Sequence, residues 1–596
     1  MFGVNSFIIT AVFFFGFVFF AGEKALGQDE IRKVVYVESN QPPVRQIRRK
    51  NTRYIIKDTI DLNGRVIRVP KNSVLDFSEG QLRNGIIKGN NTTLSGTNAQ
   101  LFDETIALEG TWAKTSFRPE WFGATGDGLA DDTDALQRTL ICASHVLLTG
   151  TYKVQHLTVK HSLSITGGCL KAFLDAYGNT RNVISAEGAF DLSFTGVDFD
   201  GSGSFLPKEG RLEPMIKVLG ARSVLFDRCT VHNHSQNCDL DDEVEWEKRR
   251  CYAMSVLGAD NVVIDSCVFH DNYSEQVAIG SNSDSQNRKP KTVLVVSNCS
   301  SYGNKHALAL FLLFNLKSAT IDSNSFEDNG RTFFNLLSSN VTISNNLLIN
   351  TQSRAITSEA NGAFYSADYI TIINNSIINA REGAISIGNS VIQIEDNTIR
   401  NDFLSGTNDY LVRLGGLYTG DNVVSDECHH ALPYYDNSYT QNQQKGDIII
   451  TRNSISGFAN RGAIAIRPTE NVTDGKTDKF GAVNNVSICG NTIKVFGSAS
   501  ALYLPNGSYS GITFWGNTVE MGSGAPMVYM SPSRAPQLER SFFEEIAITQ
   551  NIVQYPSSAR VEYFVKMEYG DTREMDVSDN IINATIEKGT ANFTVE

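Results

Sequence analysis

Two positions in this chain carry acid–base chemistry in plain view, Glu275 and His306, and a group of cations and carboxylates stands around them in sequence. Glu275 lies in Ser-Glu-Gln-Val-Ala-Ile and His306 in Lys-His-Ala-Leu-Ala-Leu, two similar apolar phrases about 30 residues apart. A second carboxylate source is the segment from Asp239 to Glu247, which includes Asp241 and Asp242 and is bracketed by Cys238 and Cys251. A carboxyl group among apolar neighbours has the raised pKa of a general acid, and a second one activates water when the pair is about 6.5–9.5 Å apart. In that scheme Glu275 is the acid, Asp241 or Asp242 the partner, and His306 orients a carboxyl group or binds a hydroxyl. Lys305, Arg354, Arg413 and Arg467, with Tyr252, supply positive charge and an aromatic face in a chain of net charge −13. Guanidinium groups grip carboxylates bidentately, so the expected ligand is an acidic, uronate-bearing or sulfated glycan. The same cations suit a β-elimination, in which a base takes the proton beside the carboxylate.

These residues need a scaffold that brings distant segments into line, and the sequence contains one. An apolar residue recurs three and five positions before a pivot and again two positions after it, Ser301 excepted. The pivots are Cys229, Cys267, Cys299, Asn324, Asn346, Asn375, Asn397, Asn453, Asn491, Asn517, Asn551 and Asn580. Alternation on both sides of the pivot marks strands, and a fixed phrase at variable intervals marks a solenoid. The shortest step, 22 residues from Asn324 to Asn346, holds three short strands, one turn of a parallel β-helix. Asparagines stacked along such turns satisfy one another's polar groups, and small cysteines replace them at one end. Twelve rungs roughly 4.8 Å apart make a rod about 55 Å long.

Counting on from each pivot predicts one sheet from the strands Tyr252–Val256, Gln276–Ile279, Ala307–Leu310, Phe333–Leu336, Ala355–Thr357, Ala384–Ile387, Gly462–Ile466 and Ala501–Leu504. Met254/Val256, Val277/Ile279, Leu308/Leu310 and Ile464/Ile466 then point inward. Tyr252, Glu275, His306 and Arg354 form an outward column, with Arg413 and Arg467 on further outward positions and Glu275 beside His306. The longest step, from Asn397 to Asn453, carries Tyr418, Tyr434, Tyr435 and Tyr439 with His429 and His430, and insertions of this kind collect on a binding face.

Upstream, Phe7–Ala21 is an apolar run followed by the small-x-small triplet Ala25-Leu26-Gly27, the pattern of a cleaved export signal. A secreted or periplasmic protein starting near Gln28 is expected, without stable membrane insertion. Residues 28 to about 52, with Arg45, Arg48, Arg49 and Lys50, read as a linker, and 54–112 as a small β region or irregular leading coils. The net charge argues against nucleic acid as a partner. The acidic segment at 239–247 has the oxygen ligands Ca²⁺ takes, but its spacing matches no calcium loop, so no cofactor is expected. Cys428-His429-His430 lacks zinc-site spacing.

The stretch 118–137 contains Phe-Gly-Ala-Thr-Gly-Asp-Gly-Leu-Ala-Asp-Asp-Thr-Asp-Ala-Leu-Gln. It resembles the leading motif of the pectate-lyase-like superfamily, F-G-A-x-G-D-G-x-x-D-D-T-x-A-x-Q. That resemblance implies an all-β right-handed parallel β-helix over 118–596, opened by a capping helix to about Ala143. Asp131 or Asp132 is its cap, and Ala135, Leu136, Leu140 and Ile141 form its apolar face. More narrowly, 274–279 is similar to the D-D-C-V-A-I segment of polygalacturonase-type glycoside hydrolases, and 305–310 to their G-H-G-x-S-I. Their N-T-D has no counterpart near Tyr252, the first Asp of the pair is Ser274, and R-I-K falls on Asn335-Leu336-Leu337. The resemblance implies hydrolysis of an acidic polysaccharide, with a lyase and a non-catalytic glycan-binding rod as the alternatives.

Overall fold

A computed structural model describes residues 31, 33–97, 100–113, 116–173, 182–203, 214–234, 252–272, 275–281, 291–304, 309–314, 316–330, 332–337, 340–360, 363–364, 369–388, 391–403, 409–414, 418–420, 447–468, 470–473, 476–480, 482–530 and 541–589. It divides into two compact units, one up to Thr115 with Glu120–Gly123, the other Ser116–Pro119 with Ala124 onward. The apolar run expected to be an export signal lies outside the described residues. No helix among them is long and apolar enough to cross a membrane.

The second unit is the solenoid. Its strands form three long parallel sheets, 14, 15 and 16 strands among the described residues. Sheet 1 runs from Leu157–Val159 to Val565–Met567, sheet 2 from His145–Leu147 to Gly570–Asp576, and sheet 3 from Asp127–Asp131 to Ile581–Ile582. Alternation does the sorting: Val262 and Ile264 of Asn261–Asp265 are wholly buried, while their neighbours face out.

The pivots lie at the corner between sheets 2 and 3 and form one unbroken chain of hydrogen bonds. Each backbone N–H donates to the side chain of the next pivot, from Cys229 to the Cys267 sulfur at 3.4 Å through to Asn551 and the Asn580 oxygen at 3.0 Å. Each Asn amide also donates to a carbonyl of the preceding rung, as Asn453 does to Ile394 O at 2.9 Å. The cysteines are more than small apolar substitutes, since their thiols donate too, Cys299 to Ser297 O at 3.1 Å. Immediately before every pivot stands a residue with φ between +53° and +64°, from Arg228 to Asp579. That left-handed turn favours Asn, Asp and Gly and explains their frequency there. A second, shorter stack marks another corner. His234 N–H donates to Asn272 Oδ1 and Asn272 N–H to Asn304 Oδ1, each over 3.0 Å, with His234 wholly buried.

Helix α1, Pro43–Gln46, belongs to the first unit, and helix α2, Thr133–Cys142, lies against the first strands of the solenoid. The Gln137 amide bonds both the N–H and the C=O of Thr158, in the outermost strand of sheet 1, at 2.7 and 3.0 Å. An edge strand's unpaired groups are met by one side chain. The expected apolar face is corrected: Leu136, Thr139 and Leu140 are buried, whereas Ile141 is 64% exposed, because the helix touches the rung along a narrow i, i+3, i+4 stripe. Asp131 accepts the Thr133 N–H at 3.0 Å, while Asp132 turns back to the Thr125 and Gly126 N–H groups at 2.7 and 3.1 Å.

The first unit is also built from parallel coils. Lys33–Val37, Thr52–Ile56, Val74–Phe77 and the end of Gln81–Gly96 pair in that order, and Thr59–Arg68 and Ile106–Trp112 flank the start of Gln81–Gly96. The basic stretch read as a linker is therefore structured: it contains the first strand and α1, because Val37, Ile47, Tyr54 and Ile56 share one core.

Candidate functional site

Sheet 1 differs from its neighbours in burial. Where its strands turn in from the preceding corner, two consecutive residues are buried, as in Ala253–Met254, Gln276–Val277 and Ala463–Ile464. Beyond this point one outward column runs Ser255, Ala278, Leu312, then, past the register position of Asn335, Thr357, Ser386, Arg413, Ala465, Tyr503, Tyr529 and Lys566. On sheets 2 and 3 outward residues are half-buried or exposed, but Ser255, Ala278, Leu312, Thr357 and Ser386 are at most 5% exposed. Inserted segments lie alongside this sheet: the hairpin Glu359–Ala360/Ala363–Phe364 packs beside Thr332–Leu337 and reaches Tyr418–Gly420, which pairs with Glu470–Thr473.

Polar chemistry gathers where the column reaches Arg413. The rings of Tyr410 and Tyr503 stand 5.7 Å apart, and Tyr503 meets Tyr529 edge-on at 6.0 Å. Arg461 lies 3.6 Å from Asp409 and hydrogen-bonds the Tyr503 phenol. Burial raises the Tyr410 pKa above its usual value, against the opposing charges of Arg467, Arg461 and Arg413. Burial, then Tyr410, raises that of Tyr503. Both phenols therefore keep their protons at neutral pH, and Tyr503 accepts from the Arg461 guanidinium. At the far end Tyr529 donates to Glu568 at 2.7 Å, and Lys566 sits 2.9 Å from the same carboxylate and 5.5 Å above the Tyr529 ring. Burial alone would raise the Glu568 pKa, but its bonds from Tyr529 and Lys566 bring it below the usual value. Gly462 makes the packing possible, because a Cβ there would lie 2.6 Å from Tyr503 Cβ.

The residues expected from sequence divide into two places. Tyr252 and Glu275 pair in register, and Arg354 stands three rungs beyond Glu275 in the same column. Tyr410 is two rungs further, so Glu275 and the tyrosine cluster are about 24 Å apart along the rod. Arg413 and Arg467 belong to the tyrosine cluster, and Tyr252 and Glu275 do not. The Glu275 side chain, His306, Lys305, Asp241 and Asp242 lie outside what is described, as do Cys238, Cys251 and the tyrosines and histidines of 421–446. Among the described residues no group of three His, Cys, Asp or Glu could hold a metal ion.

One expectation about register is corrected. Val277 pairs with Phe311 and Ile279 with Leu313, not with Leu308 and Leu310. The segment 307–314 is apolar throughout, so alternation cannot set its register, and the interior decides. Phe311 fits between Phe269, Phe326 and Phe334, its ring 5.7–6.0 Å from theirs. The rung position beside Glu275 thus falls to Ala309, three residues after His306.

Sequence reading missed Tyr410, Arg461, Tyr503, Tyr529, Lys566 and Glu568. The signal for three of them was present: Arg413 was assigned outward, and the same column one and more rungs on reads Ala465, Tyr503, Tyr529, Lys566.

A family model described as "Right handed beta helix region" matches residues 176–399. With the three parallel sheets, it shows the fold, a right-handed parallel β-helix. No curated protein sequence matches the chain. Three similar solved structures are a surface adhesin of Streptococcus pneumoniae, PfbA (13% identity, TM-score 0.38, covering 65% of this chain and 93% of that one), the catalytic unit of an α-1,3-glucanase from Streptomyces thermodiastaticus (12%, 0.31, 72% and 67%) and an exopolygalacturonase from Thermotoga maritima (12%, 0.28, 79% and 92%). At these values the likeness is one of fold.

Proposed function

We propose that the protein is an exported enzyme that binds an acidic polysaccharide along the outer face of sheet 1 and hydrolyses its glycosidic bonds. The observation that carries the binding half is the cluster of Tyr410, Tyr503 and Tyr529 with Arg413, Arg461 and Arg467. Tyrosine faces stack on sugar rings while their hydroxyls donate, and guanidinium groups hold carboxylates or sulfates. Glu275 remains the proposed acid, with Asp241 or Asp242 as its partner, His306 orienting, and Lys305, Arg354 and Tyr252 contacting the glycan.

A second reading, a glycan-binding rod without catalysis, is supported by the register beside Glu275, where the described strand places Ala309 and no ionisable residue. A lyase is less well supported at the tyrosines, since phenols whose pKa is raised are poor bases.

A screen of the full chain against uronate, sulfated and neutral polysaccharides separates the three. New reducing ends without ultraviolet absorbance, lost in Glu275→Gln, are expected. Unsaturated product absorbing in the ultraviolet would replace hydrolysis by elimination. Binding without product would leave the rod reading.

A further inference from the structure

The charge of the chain is divided between its two units. Residues 1–115 carry 15 Lys and Arg against 11 Asp and Glu, while residues 116–596 carry 37 against 54. The first unit is thus basic on a protein that is acidic elsewhere. Four of its cations stand on one edge, where consecutive coils turn. Asn51, Asn72 and Asn91 take left-handed conformations there, stacked through Asn51 N–H to Lys71 O, Asn72 N–H to Asn90 O, and Asn91 Nδ2 to Asn72 Oδ1 at 2.9 Å. Arg48, Arg49 and Lys50 precede the first of these turns and Lys71 the second, all exposed.

Three features separate this edge from an ordinary solvated surface. Three other cations of the unit are neutralised: Arg53 pairs with Asp76, Arg83 with Asp61 and Lys88 with Glu109. Arg49, Lys50 and Lys71 form no ion pair among the described residues, and Arg48 bonds only the Val44 carbonyl. The backbone beneath them is pinned, because the wholly buried Tyr54 hydroxyl accepts from Arg49 N–H and donates to Arg49 O, and Ser73 donates to the same carbonyl. The cations also stand on two consecutive coils, Arg48–Lys50 on one and Lys71 on the next, about 4.8 Å apart.

We propose that this edge of the first unit is a docking surface for a linear anionic polysaccharide, separate from the face of sheet 1. Unpaired cations on two adjacent, pinned coils fit a polymer that carries a carboxylate or sulfate on each residue. Holding such a polymer here concentrates the chain on its surface, whatever sheet 1 does with it, so the proposal stands apart from the reading of the tyrosine cluster.

The test is retention of the full chain on immobilised polygalacturonate, dextran sulfate and neutral dextran, with salt elution, for wild type, Arg49→Gln/Lys50→Gln/Lys71→Gln and Arg49→Lys/Lys50→Arg/Lys71→Arg. The glutamine variant is expected to bind the anionic matrices about tenfold more weakly, three exposed charge contacts each contributing a fraction of a kcal/mol. The charge-retaining variant should bind as wild type does, and circular dichroism melting should show all three folded. Unchanged retention of the glutamine variant, or equal retention on neutral dextran, overturns the proposal. So does tighter binding to vesicles of phosphatidylglycerol than to polygalacturonate, which would make the partner a membrane. Arg461→Gln in parallel reads the sheet 1 site, and its effect leaves this proposal untouched.

Discussion

The backbone N–H of Asn397 donates to Oδ1 of Asn453 over 2.9 Å, across 56 residues of intervening chain. The insertion between them leaves the ladder as regular as the steps on either side, of 22 and 38 residues. Removing that oxygen in Asn453→Ala orphans the Asn397 N–H in a buried corner, at about 1–3 kcal/mol for each unsatisfied group. Urea denaturation should show a loss of this size, with Asn453→Ser less affected because its hydroxyl still accepts.

Gly462→Ala should act on the tyrosine cluster without touching a polar group. The added Cβ at 2.6 Å from Tyr503 Cβ forces the ring or the strand to move, a strain of about 1–3 kcal/mol. Calorimetric titration with oligouronate should show weakened binding in step with the lower melting temperature.

Tyr503→Phe isolates the hydroxyl. The ring and its neighbours remain, and only the bond to Arg461 is lost. Stability should change by no more than about 1 kcal/mol, whereas oligouronate affinity should drop several-fold as Arg461 loses its restraint.

His234 sets a pH dependence. Burial pushes its pKa down to about 4, so between pH 6.5 and 4 the unfolded chain takes up a proton that the folded chain refuses. Stability is complete above about 6.5 and falls as the pH drops through that window, by up to about 3 kcal/mol. His232 acts in the opposite sense: burial lowers its pKa but Asp198 more than offsets this, and its smaller contribution grows on acidification. His234→Asn, the residue type of the next two steps in its stack, should flatten the decline measured by thermal melts from pH 7 to 4.5.

How much was legible beforehand differs by element. The pivots were legible because a polar residue that must recur in a buried corner leaves a fixed phrase. The left-handed residue before each pivot was overlooked, although the run of Arg, Ser, Asn, Asp, Gly and Gln there was its trace. Alternation placed Met254, Val277 and Ile464 inward, where they are. It failed at 307–314, where every residue is apolar and only the fit of Phe311 among other phenylalanines fixes the register. Arg413 and Arg467 were picked out by charge, but Tyr410 and Tyr503 read as ordinary strand aromatics. Their partnership comes from stacking rungs whose separation in sequence, 52 between Tyr410 and Gly462, depends on insertions no periodicity describes.

The unbroken ladder also bears on how the chain reaches this state. Among the described residues each strand of the solenoid pairs with those of the rungs before and after it, so the structure can assemble vectorially, each new turn closing on a template already formed. Loop closure then spans one insertion at a time instead of the whole length, which keeps a chain of this size within reach of ordinary folding rates. The step from Asn397 to Asn453 is the widest of these gaps, and it is where assembly should pause.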